Sequence, residues 1–396
     1  MGIACWRVGG ISFAQEGNDL SLEKDDDRFL RRALELARRG EGLASPNPCV
    51  GAVIVSEDGK IVGEGFHTYD GKKHGEVLAI ERAGRAAQGA ELYLNLEPCS
   101  HQGRTGPCAE AVIAAGIRRV VCSMEDPNPR VAGRGFLKLR EAGIAVDVGL
   151  LQPQARKLNE GFAKYIRHET PLVTLKCAMT LDGKIALTAS ESNRETRGTG
   201  RTAWITGEAA RAHVQELRHA CDAVLTGIGT VLSDDPLLTD RSGKARRRPL
   251  LRVILDSHLR LPVESRIVQS AKEDVLVFCG SSDAEKRRSL EQAGVRVERV
   301  AESAGGHVDL AAVMRRLGEL EILSVIAEGG SHLNTAMLED GIADKAMLYF
   351  APKIFGEGAI PFTAGLKRSL ALRDTAVHQF GEDFLLEGYL RDPYSE

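Results

Sequence analysis

The chain has 396 residues, long for one hydrophobic core, and its 52 Lys and Arg against 55 Asp and Glu leave a formal charge of −3 and a pI near 6.4. That balance lacks the basic excess of a nucleic-acid groove, no apolar run reaches membrane-span length, and the start lacks the charged, apolar and small-residue regions of a secretory leader. Two domains, a small-molecule substrate and a cytoplasmic setting are expected, with the eight cysteines reduced.

Residues 1–24 mix Gly, Ser, Gln and charges without a sustained period and read as a poorly ordered extension. From Asp25 the pattern sharpens: Phe29, Leu30, Ala33, Leu34 and Ala37 fall at helical spacing, and Gly40 marks a stop. Ser45-Pro46-Asn47-Pro48 cannot stay helical, because each Pro biases its predecessor toward extended geometry. Residues 50–55 are an apolar run of strand length, Asp58-Gly59 is a hairpin turn, and 61–66 is the return strand. Helical patterns at 74–87, 107–116 and 133–143 then alternate with strands at 91–96, 118–124 and 144–149. That alternation predicts an α/β sheet with helices on its faces.

Residues 151–168 are helical and charged, and Thr170-Pro171 breaks them, which places a domain boundary near residue 168 and predicts units at 25–168 and 169–396. Strands are expected at 172–178, 222–227, 250–256, 274–279, 295–300, 322–328, 345–350 and 383–390, and helices at 207–219, 284–293, 310–320 and 331–339.

His74-x-Glu76, Pro98-Cys99 and Cys108 carry the chemistry of the first unit. One imidazole and two thiolates supply three protein ligands, so a tetrahedral Zn2+ keeps a fourth position open for water. Glu76 is too close to His74 to share the ion comfortably, yet it is well placed to move protons, the arrangement used in hydrolytic deamination of nucleobases. His74 and Glu76 open one helix and Cys108 the next, so two helix N-termini would face the developing negative charge. Two alternatives stand beside this: a closed zinc knot with Cys122 as fourth ligand, and a Cys99–Cys108 disulfide.

Residues 45–55, His74-Gly75-Glu76-Val77, Leu96-Glu97-Pro98-Cys99-Ser100-His101 and Asp126-Pro127-Asn128-Pro129 resemble the bacterial bifunctional deaminase/reductases of riboflavin biosynthesis. The likeness continues through Thr180-Leu181-Asp182-Gly183-Lys184, residues 234–239 and Glu328-Gly329-Gly330, and spans residue 25 to the C-terminus. The resemblance implies a cytidine-deaminase-like three-layer domain followed by a dihydrofolate-reductase-like α/β domain. The first would deaminate a 2,5-diamino-6-ribosylamino-pyrimidinone 5'-phosphate with zinc, and the second would reduce the ribosyl group to ribityl with NADPH.

Carried over by position, His74, Cys99 and Cys108 would hold zinc and Glu76 would shuttle the proton, while Asn47, His67, His101, Arg104, Asp126 and Asn128 would read the pyrimidine and its ribose phosphate. On the reductase side the resemblance maps Ala178, Trp204, Thr230, Asp234, Ser257, Gly330, Ser331, His332, Leu333, Asn334, Thr335 and Ala336 to NADPH. It maps Thr202, Arg218, Leu238, Arg241 and Glu328 to the sugar phosphate. The Gly329-Gly330 turn before a helix offers backbone N–H groups to a phosphate, although many strand-to-helix turns contain such a pair. Lys176 and Glu328 are the candidates for protonation around C1' of the ring-opened imine, with the donor undecided between them.

Gly75 replaces the Ala usual in the family, and Gly106-Pro107 replaces Pro-Pro. Residues 193–203 read as an inserted surface loop, and Arg246-Arg247-Arg248 as a solvated loop. Two rivals remain: a single-activity zinc deaminase with a non-catalytic C-terminal half, and a zinc-stabilised interaction module. A homo-oligomer through the reductase domain is expected, with apolar strands near residues 345–352 pairing across subunits.

Overall fold

The structure, a computed structural model, describes residues 19–101, 106–187 and 204–395, with side chains from Asp25 onward. Helix α1 (Asp19–Arg38) begins within the stretch read as an extension. Residues 1–18 lie outside the described residues.

The first sheet holds β1 (Gly51–Val55), β2 (Ile61–Phe66), β3 (Glu91–Leu94), β4 (Arg119–Cys122) and β5 (Ala145–Val148) in the order β2-β1-β3-β4-β5. The β2-β1-β3 pairs are antiparallel and β3-β4-β5 are parallel. Side-chain alternation splits the sheet into two apolar faces. Val53, Val55, Tyr93 and Val121 meet Phe29, Leu30, Ala33 and Leu36 of α1. Ala52, Ile54, Leu92, Leu94 and Val120 meet the helices α2 (Gly75–Ala83), α3 (Cys108–Ala114) and α4 (Arg134–Glu141). Complete burial of leucines such as Leu30 and Leu92 contributes roughly 2 kcal/mol each. The three-layer expectation is therefore met.

Gly65 lets α2 settle directly on β2, since a Cβ there would stand 2.2 Å from the Gly75 carbonyl oxygen. That close approach fixes the height of the α2 N-terminus over the sheet, and His74 is its N-cap.

Helices α5 (Gln152–Leu158) and α6 (Glu160–His168) join the two halves. Asn159, between them, accepts from the Cys49 N–H at 2.8 Å and donates to the Cys49 carbonyl at 3.1 Å. The next residue, Glu160, binds Lys345 at 2.8 Å and the Tyr389 hydroxyl in the second half.

The second sheet contains β6 (Leu172–Thr180), β8 (Ala223–Gly227), β9 (Leu251–Leu255), β10 (Val275–Cys279), β11 (Val295–Arg299), β12 (Ser324–Ala327), β13 (Lys345–Ala351), β15 (Arg373–Phe380) and β16 (Asp383–Tyr389). Its order is β11-β10-β9-β8-β12-β6-β13-β16-β15, parallel from β11 to β13 and antiparallel at β16 and β15. Apolar clusters cover both faces, as an all-parallel centre requires. A two-stranded sheet of β7 (Lys184–Ala186) and β14 (Ile360–Pro361) lies beside it. The expectation that residues 345–352 pair across subunits needs correction: β13 has β6 on one side and β16 on the other, so neither of its edges is free.

Candidate active sites

The first site grows from the N-termini of α2 and α3. His74 precedes α2, and Cys108 opens α3, while Cys99 lies on the loop leaving β3. His74 Nδ1 stands 3.1 Å from Cys108 Sγ and 3.6 Å from Cys99 Sγ, and the three ligand atoms lie within 4.8 Å of one another. Both cysteines are free, so the disulfide alternative fails. Cys122, the other alternative, is buried in β4 with its Sγ turned to the Met124 carbonyl at 3.4 Å. A hydrogen bond from the Cys108 thiol, aided by His74, holds Cys99 below the ordinary thiol range, while Cys108 is pushed up.

Glu76 is 2% exposed on the first turn of α2, and its Oε2 has no hydrogen-bond partner. Burial pushes the carboxyl up to about 7. One imidazole and two sulfurs are the donor set of a catalytic zinc with an open position, and the unsatisfied Glu76 oxygen beside them is free to handle protons rather than to bind the ion.

His67 and Asn47 adjoin the triad. The His67 ring lies 5.0 Å from that of His74. Its Nδ1 is 3.0 Å from the Lys73 carbonyl, which only accepts, so Nδ1 carries the proton and Nε2 accepts from the Asn47 amide at 2.9 Å. Asp126 and Asn128 lie together on the loop after β4, where Asp126 Oδ1 accepts from the Asn128 N–H at 2.8 Å. Burial pushes the Asp126 carboxyl up to about 6. His101 is exposed at the edge of this group. Arg104 lies outside the described residues.

Sequence reasoning missed Glu97. Its buried carboxylate accepts backbone N–H bonds from Asp126 at 3.0 Å, Gly133 at 2.9 Å and Gly135 at 2.7 Å, and so pins the Asp126–Asn128 loop against the loop of Cys99. An acid immediately before Pro98-Cys99, at the end of a buried strand, was the available signal.

The second site lies at the carboxyl ends of β6, β8, β9 and β12, where open parallel sheets bind ligands. Lys176 Nζ and Arg218 Nε reach the two oxygens of Glu328 at 3.4 and 2.7 Å. Burial raises the Glu328 carboxyl, but Lys176 and Arg218 outweigh it and hold the group down to about 2. Tyr349 forms a wall, its ring 6.0 Å from Lys176 Nζ. Leu238 is buried at φ 53°, and the following Thr239 carbonyl accepts from Arg218 at 3.0 Å. Arg241 is exposed, and Thr202 lies outside the described residues along with the whole of 188–203.

The mapped cofactor residues divide by what their side chains do. Gly330 is the N-cap of the helix Ser331–Glu339; a Cβ at Gly330 or at Gly229 would meet nothing within 4 Å, and neither has a positive φ. Open space above two bare backbones suits the close approach of a nucleotide phosphate. Thr230 and Asp234 follow on the helix Ile228–Asp234, Ala178 lies on β6, and Trp204 is 67% exposed under the Arg211 guanidinium. By contrast Ser331, Asn334 and Thr335 turn inward to Pro361, Phe362 and Ala364, and Ser257 Oγ accepts from the Val308 N–H at 3.0 Å. From these the exposed contribution is backbone, beside the half-buried or exposed His332, Leu333 and Ala336.

Comparison with known proteins decides the family. A model of the cytidine and deoxycytidylate deaminase zinc-binding region matches residues 23–124, and one of the RibD C-terminal domain matches 171–386. The riboflavin biosynthesis protein RibD of Aquifex aeolicus is 41% identical over 92% of this chain and 98% of its own length. The chain belongs to the RibD family. RibD of Escherichia coli is 42% identical over 84% of this chain and 89% of its own. Among solved structures, Acinetobacter baumannii RibD superposes with a TM-score of 0.79 at 38% identity, covering 93% of this chain and 99% of the other. The deaminase/reductase of Thermotoga maritima gives 0.76 at 36% identity, again covering 93% and 99%. A RibD chain is a bifunctional zinc-dependent deaminase and NADPH-dependent reductase, so the single-activity reading is set aside.

Proposed function

We propose that the two sites act in turn on 2,5-diamino-6-(5-phospho-ribosylamino)pyrimidin-4(3H)-one, which the first deaminates and the second reduces in its sugar. The observation that carries this reading is the His74, Cys99 and Cys108 cluster beside the unpartnered Glu76 oxygen, in one chain with the Lys176, Glu328 and Arg218 group.

In the deaminase, zinc held by His74, Cys99 and Cys108 supplies Lewis acidity toward water. Glu76 would carry one proton of the attacking water to the ring nitrogen, where it stays, and the second, from the new hydroxyl, to the amine that leaves as ammonia. Asn47 orients the pyrimidine with the Nδ1-protonated His67 behind it. Asp126 and Asn128, pinned by Glu97, read the ribose side, with His101 and Arg104 toward the phosphate.

In the reductase, bound NADPH would be the source of hydride, and C1' of the ring-opened imine the carbon that receives it. Glu328 is a carboxylate and holds Lys176 and Arg218; Lys176 is therefore the proton donor, and Arg218 the anchor on the sugar-phosphate side. Ala178, Gly330 and the N–H groups of the following turn flank the nicotinamide and phosphates.

No helix among the described residues is long and apolar enough to cross a membrane. We place the enzyme in the cytoplasm and as a homo-oligomer through the reductase half; any strand pairing between copies in that sheet falls to its edge strands, β11 and β15.

The test is incubation of the zinc-loaded chain with the diamino pyrimidine phosphate, followed by mass analysis. Without NADPH the product should carry oxygen in place of one amine. With NADPH the sugar should also be reduced. Deamination without NADPH oxidation would remove the second half of the reading.

A further inference from the structure

We propose that Arg247, from the reductase half, is a positioning residue for the deaminase pocket. This inference rests on the reading that Asn47 contacts the pyrimidine.

Arg246-Arg247-Arg248 is no solvated loop, and each guanidinium is engaged. Arg247 lies over the Tyr69 ring, 3.7 Å from its centroid, and donates to the Ser45 carbonyl at 3.1 Å. Its backbone N–H donates to the Gly42 carbonyl at 2.8 Å. Arg248 binds Ser45 Oγ at 3.0 Å and the Glu321 carbonyl at 2.9 Å, which ties the same turn to the second half. Gly42 has a φ of 71°, and a Cβ there would stand 3.0 Å from His219 Cε1. Only glycine lets this turn rest on the helix Glu208–Ala220.

The held turn leads straight to the pocket. The Asn47 N–H donates to the Ala44 carbonyl at 2.9 Å, and the Asn47 amide donates to His67, beside His74. Arg247 therefore fixes the backbone two residues from the group that reads substrate, and it touches no metal ligand. Its neighbour Arg246 donates to the carbonyls of Arg218 at 2.9 Å, His219 at 2.6 Å and Cys221 at 2.7 Å. Arg246 thus closes the end of the helix that supplies Arg218 to Glu328. One tripeptide grips the supports of both sites. A guanidinium suits the task because it stacks on a ring and donates in its own plane at once, whereas an ammonium does not.

The experiment uses the full-length zinc enzyme and measures deaminase KM and kcat, zinc content, thermal unfolding, and reductase constants with the deaminated intermediate supplied. Arg247→Ala should raise the deaminase KM about tenfold and leave kcat within about twofold, the signature of lost binding rather than lost chemistry. Zinc content and reductase constants should not move. Arg247→Lys should fall between, and Tyr69→Leu should raise KM without adding to Arg247→Ala, since both break one contact. Asn47→Ala is the control. An unchanged KM in Arg247→Ala beside a raised KM in Asn47→Ala overturns the proposal alone. Unchanged KM in both overturns the reading of Asn47 with it. A parallel fall of both activities with loss of zinc or a collapsed melting transition assigns Arg247 to general stability and also overturns the proposal.

Discussion

Lys176 stands 3.4 Å from Glu328 because β6 and β12 are hydrogen-bonded neighbours whose register pairs Leu175 with Ala327, one residue earlier on each strand. Arg218 arrives from the last turn of a helix and takes the other oxygen. Two cations on one buried carboxylate hold it below the ordinary carboxylate range.

Lys176→Met should lower reductase turnover by about two to four orders of magnitude, the range for removal of a general acid. Deaminase turnover should remain near wild type. Retained reduction in this variant would return the donor role to another group.

Glu328→Gln should also cripple reduction, by releasing Lys176 and Arg218, and its stability effect should depend on pH. The folded carboxyl, held down to about 2, lies below its ordinary value, so its contribution is complete above that ordinary value and disappears as pH falls toward about 2. The contribution is on the order of 3 kcal/mol. Melting curves of wild type and variant should differ most near neutrality and converge in acid; a gap that widens in acid would contradict the assignment.

Glu76→Ala should abolish deamination and retain zinc, because Glu76 is not a ligand, and reduction of supplied intermediate should continue. Chelation should remove the metal and the same activity while far-ultraviolet circular dichroism stays unchanged. The apolar core around Leu92 and Val120 includes none of the three zinc ligands, unlike domains that fold only on metal binding. Unfolding on chelation would refute this.

Glu97→Gln places an amide nitrogen where backbone donors converge. The Asp126–Asn128 loop should loosen, with a stability loss of about 1–3 kcal/mol and a raised deaminase KM. Unchanged values for both would dismiss Glu97 as a support.

Gly330→Val adds a side chain where only open space lies, so folding should be unaffected. NADPH affinity, followed by fluorescence titration, should fall about tenfold or more if a phosphate passes there. Equal affinity would move the cofactor elsewhere.

The metal triad was legible because its ligand types and spacing are properties of the chain itself, and the strong strands were legible from apolar runs such as residues 275–279. β15 was not: its residues are exposed almost throughout, so an outer strand left no alternation to read. The helix Ile228–Asp234 is seven residues long and opens with a glycine at its second position, too little for a period. Glu97 and Arg247 act on backbone groups distant in sequence, and no local pattern records such partners. Ser331, Asn334 and Thr335 are mapped to the cofactor by the resemblance alone, and their side chains fasten residues 361–364, which no local pattern records.

The order of strands in the larger sheet has a bearing on biosynthesis. All five strands of the smaller sheet fall within residues 51–148, so that half can complete itself while translation continues. β6 emerges next, yet its two flanks are β12 and β13, and β12 begins only at Ser324. A nascent chain therefore carries a finished deaminase core ahead of an oxidoreductase whose first interior strand waits, unpaired, for nearly the last part of the message to be read.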